Sequence, residues 1–74
     1  MDEQKEILQT IGDAWLNLNF LSYQARVARE EFLTALLTGE QSNITQEEMA
    51  SVCIKGKDHI SRSRIAQYLR QARG

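Results

Sequence analysis

Residues Gln4 to Leu37 read QKEILQTIGDAWLNLNFLSYQARVAREEFLTALL, with no proline and with Gly12 as the only glycine. Apolar side chains return at Ile7, Ile11, Ala14, Leu18, Leu21, Ala25, Ala28, Phe32 and Ala35, in alternating steps of four and three. That rhythm marks a helix with one buried stripe. It predicts one long helix over residues 4–37, and a straight helix of about 34 residues runs for about 50 Å. A compact chain of 74 residues is narrower than that. The helix is therefore expected to protrude, bend or find a partner.

The four alanines of the seam bring backbones close but add little apolar area, so Ile11, Leu18, Leu21 and Phe32 are the expected anchors of association. A second stripe, Leu16, Phe20, Tyr23 and Val27, lies on another face. With two stripes, one can receive the C-terminal part of the chain while the other meets a second subunit. The expected assembly is a homodimer.

Downstream, the signals change from periodicity to punctuation. The helix is expected to stop near Thr38-Gly39, and Asn43-Ile44-Thr45 to lead from a loop into a cap. Thr45 is placed to cap a new helix, Glu48 to complete a capping box, and Ile44 to staple against Met49. Met49, Val52 and Cys53 supply the buried side of that short helix. Lys55-Gly56-Lys57-Asp58 is the second break, Ser61 the preferred cap of the last helix, and Ile60 the staple to Ile65. Ile65, Tyr68, Leu69 and Ala72 then form one apolar face. The predicted fold is all-α, a single domain over residues 1–74. A long N-terminal helix is followed by a short helical hairpin over 44–72, loosely helix-turn-helix-like and dimeric.

Net charge is −1, but it is divided unevenly along the chain. Residues 1–50 carry nine acidic residues against Lys5, Arg26 and Arg29, a net of −6. Residues 51–74 carry Lys55, Lys57, Arg62, Arg64, Arg70 and Arg73 against Asp58, a net of +5. A basic tail suits a polyanion, an acidic protein or the acidic half of another copy.

Thr45 to Ala50 and Ile60 to Ile65 resemble the two helices of a helix-turn-helix DNA-binding motif, although Ser51 to His59 make a longer connection than a tight turn needs. The resemblance implies that Ser61, Arg62, Ser63 and Arg64 open a helix at a DNA groove, with an arginine on a guanine edge. Lys55, Lys57, Arg70 and Arg73 would then follow phosphates. The expected function is a small DNA-binding transcriptional regulator that dimerises through the long helix. The alternative is a protein-interaction module, such as an inhibitor, anti-activator, chaperone or assembly factor, that captures a helical or acidic partner.

Other chemistry is not expected. Cys53 has no local His or acidic partner at catalytic spacing and reads as a small core residue. His59 is the one histidine, so no multi-histidine metal site can form, and neither an enzyme nor a cofactor is expected. With a polar opening, one cysteine and an acidic rather than basic amphipathic segment, the expected setting is cytoplasmic and away from membranes.

Overall fold

The computed structural model describes residues 2–20 and 25–74. Its elements are α1 (Glu3–Phe20), α2 (Ala25–Gln41), α3 (Gln46–Ser51), β1 (Ile54–Lys55), β2 (Asp58–His59) and α4 (Arg62–Arg73). The all-α expectation holds: four helices are described, and the N-terminal one is the longest at 18 residues.

In place of the one helix expected over 4–37, two are described, α1 and α2. α1 and α2 lie against each other, with Ile7 and Ile11 beside Gly39 and the Trp15 ring 5.4 Å from that of Phe32. Those pairings run antiparallel, and Gln4 Nε2 donates to Ser42 O across the same end. The extents, 34 × 31 × 25 Å, also leave no room for a rod of about 50 Å. Residues 21–24, including Leu21 of the seam and Tyr23 of the second stripe, lie outside the described residues.

Folding the two halves together turns the seam inward. Ile11, Ala14, Ala28, Phe32 and Ala35 are buried, Ile7 and Leu18 are half-buried, and Ala25 is exposed. The core that receives them is completed by Trp15, Leu36, Ile44, Met49, Ala50, Cys53, Ile60, Ile65 and Leu69. Trp15, Phe32 and Tyr68 meet edge to face or tilted, the Phe32 and Tyr68 rings 5.1 Å apart, which joins α1, α2 and α4 in one aromatic contact.

The first helical unit ends later than Thr38-Gly39. Gly39 is buried inside α2, where a Cβ would stand 2.8 Å from Met49 Sδ and 3.1 Å from Ile11 Cδ1. Its lack of a side chain serves helix packing. The stop is made by Asn43, at φ 65°, with Ile44 N–H bonded to Gly39 O and Asn43 N–H to Glu40 O. This is a Schellman closure with asparagine at the left-handed position.

Both expected caps form. Thr45 Oγ1 accepts from Glu48 N–H at 3.1 Å and also bonds the Glu48 carboxylate. Ser61 Oγ accepts from Arg64 N–H at 3.3 Å. Ile44 and Ile60, the residues before the caps, are buried with Met49 and Ile65. Between the capped helices stands an element absent from the expectation, a hairpin pairing Ile54 with His59 and Lys55 with Asp58. Gly56, at φ 66°, occupies the first of its two turn positions, where a type II′ turn takes glycine.

Candidate interaction surfaces

The basic tail is presented by two frames. Ser61 fixes the start of α4, and Ile65 and Leu69 point into the core, so Arg62, Ser63, Arg64 and Arg70 are left exposed. Lys55 and Lys57 are exposed on the hairpin. The hairpin is tied to α1 because the buried Trp15 indole donates from Nε1 to Ile54 O at 2.9 Å. Not every cation is free: Arg73 pairs with Glu40 of α2. Among the described residues, Arg62, Arg64 and Arg70 form no ion pair. The residues between α3 and α4, Val52 to Ser61, carry the hairpin instead of a tight turn.

The two apolar stripes have separate fates. The seam proposed for association is largely used inside the chain, as described above. The described residues of the second stripe face outward: Phe20 is 78% exposed, Val27 51% and Leu16 48%. Ile54, on the hairpin, is also exposed.

On the side of α1 and α2 away from α4 lies a groove of about 770 Å³. Ile7, Ala14, Val27 and Ala35 supply its apolar surface. Glu6 and Asp13 of α1 and Glu30 and Glu31 of α2 are among its lining residues, and among the described residues neither lysine nor arginine lines it. Sequence reading missed this site because its walls come from helix faces that meet only when the chain reverses. The available signal was the excess of acid in residues 1–50.

Cys53 is fully buried and its thiol donates to Met49 O, one turn earlier. Burial pushes its pKa up from 9.0 to about 12, so it stays a neutral thiol near pH 7. His59 Nδ1 lies 2.8 Å from Ile60 O, a contact that requires a donor, so the proton sits on that nitrogen. Among the described residues no group of three metal-ligating side chains converges, and no helix is long and apolar enough to cross a membrane. Comparison with known families, curated proteins and solved structures finds no match for the chain.

Proposed function

We propose that the protein is a protein-interaction module, with the outward side of α1 and α2 as its binding surface. The observation that carries this reading is the exposure of Leu16, Phe20 and Val27 while, among the described residues, the large seam side chains Ile7, Ile11, Leu18 and Phe32 are buried or half-buried. Apolar side chains grouped on the surface of a small protein mark places where another protein excludes water. Homodimerisation, where it occurs, would use this second stripe, since Ile11 and Phe32 are already enclosed by α3 and α4. Capture from native extract tests the reading, with wild type set against Phe20→Asp/Val27→Asp. A partner held by the wild type and released by the variant supports it. Equal recovery by both overturns it. Sedimentation equilibrium of the same pair separates a second copy from a different protein.

A second reading, a small DNA-binding regulator, is favoured by Arg62 and Arg64. They stand exposed and without ion pairs in the first turn of α4, beside the Ser61 cap. In that reading one arginine contacts a base, while Lys55, Lys57, Ser63 or Arg70 follows the backbone, and Arg73 must first leave Glu40. Loss of a bidentate arginine contact would reduce discrimination between matched and scrambled duplexes by roughly 1–3 kcal/mol. Salt-controlled binding of Arg62→Ala/Arg64→Ala to selected and scrambled duplexes is the test. Unchanged affinity and preference would remove these arginines from DNA recognition.

A further inference from the structure

We propose that the α1–α2 groove is the docking site for a basic amphipathic helix of a partner protein, a proposal that rests on the interaction reading and names what the surface holds. The argument begins with shape. On α1 the groove runs from Glu6 to Asn17, a helical stretch of roughly 17 Å, or about three turns. Two antiparallel helices leave a trough between them in which a third can lie, as in any three-helix packing. Ala14 and Ala35 lie at its base, where small side chains let an incoming ridge approach the backbones closely.

Charge selects the kind of helix. Carboxylates stand on both walls, Glu6 and Asp13 on one and Glu30 and Glu31 on the other. Arg26 approaches Glu30 at 3.8 Å, but from within the same helix and with both side chains well exposed, so it is a weak competitor. The Thr10 and Thr38 hydroxyls donate to the carbonyls of Glu6 and Thr34, their own helices. The carboxylates are therefore the charged groups of the groove's lining, beside the neutral Asn17 and Thr34. The complement is a helix with an apolar ridge at i, i+3/i+4 and i+7, flanked on both sides by lysine or arginine.

The chain's own basic helix meets half of that specification. The outward face of α4 carries Arg62, Ser63, Gln67 and Arg70, which match the charge but offer no apolar ridge to the groove. A different protein is thus the better occupant than α4 of a second copy.

The test is an NMR titration of the ¹⁵N-labelled full chain with a synthetic helical peptide of about four turns, a leucine-alanine ridge flanked by lysines. Two control peptides accompany it: the same ridge flanked by glutamates, and the lysine peptide scrambled to destroy the ridge. The expected result is saturable shifts confined to residues 6–17 and 27–38, at least tenfold weaker with either control. Glu6→Gln/Asp13→Asn/Glu30→Gln/Glu31→Gln, shown to be folded by circular dichroism, should weaken the lysine peptide by a similar factor. Equal binding of the scrambled peptide, shifts centred on α4, or indifference to the four substitutions would overturn the proposal. So would shifts at the groove that grow with protein concentration in the absence of peptide and vanish in the four-fold variant, because a second copy would then be the occupant. The extract experiment fails independently. If a partner depends on Phe20 and Val27 but is held equally by the four-fold variant, the interaction reading stands and the groove assignment falls.

Discussion

The same two helices present two sides to the world, and the contrast between them organises the molecule. Toward α4, α1 and α2 offer Ile11, Trp15, Phe32 and Leu36, all buried, and the chain covers them itself with Met49, Cys53, Ile65 and Leu69. On the other side they offer alanines, threonines and carboxylates around an open groove. Both sides draw on neighbouring helix positions, yet only the first carries enough apolar area to hold a structure together. Apolar burial is concentrated on the filled side, so the open side can change its chemistry at little cost to folding.

The filled side should be easy to break. Phe32→Ala removes the ring that contacts both Trp15 and Tyr68, and a loss of about 3–5 kcal/mol is expected in chemical denaturation. A chain of this length has a total stability of roughly 4–11 kcal/mol, so that loss removes between about a quarter and all of it.

A smaller effect tests how tightly α2 meets the covering helix. Gly39→Ala gains about 1 kcal/mol of helix propensity but drives a methyl group into Met49 and Ile11, an overpacking loss of about 1–3 kcal/mol. The net expectation is a lower urea midpoint. A rise would mean that Met49 moves aside freely.

Thr45→Ala removes the cap that starts α3 and should cost about 0.5–2 kcal/mol by the same measurement. Thr45→Ser should retain most of it, because the accepting hydroxyl remains.

At neutral pH the next effect is absent. Cys53 loses its proton near pH 9.0 when unfolded but only near about 12 in the fold. Above pH 9 the unfolded chain therefore holds fewer protons than the native one, and stability falls as pH rises from about 9 toward about 12. Cys53→Ala should flatten that alkaline slope. In the wild type at pH 7, alkylation of the thiol should follow unfolding rather than reagent concentration.

On the open side, Glu30→Gln/Glu31→Gln should leave the denaturation midpoint unchanged, since both carboxylates are exposed and one has only the weak Arg26 contact. A marked change in either direction would show that the groove contributes to folding and would blur the division between the two sides.

What was legible in the sequence was local. Thr45 and Ser61 cap helices because a hydroxyl at that position reaches an amide three residues ahead, whatever the rest of the chain does. The apolar rhythm of residues 7–35 likewise foretold a buried stripe, and Ile11, Ala14, Ala28, Phe32 and Ala35 are buried. Periodicity, however, reports that a stripe will be covered and not by what. A seam that looks like half of a coiled coil between chains is equally satisfied when one half of the segment folds back on the other and α3 and α4 close over both. Trp15 acquires its importance only then, because the carbonyl of Ile54 that receives its indole proton is 39 residues away. Gly39 reads as a helix stop until Met49 is brought against it. The groove and its four carboxylates exist only between two helices, so no single stretch of sequence contains them. Caps and periods are set by neighbours along the chain, whereas coverage, close approach and charge clustering are set by neighbours in space, and those depend on where the chain turns back.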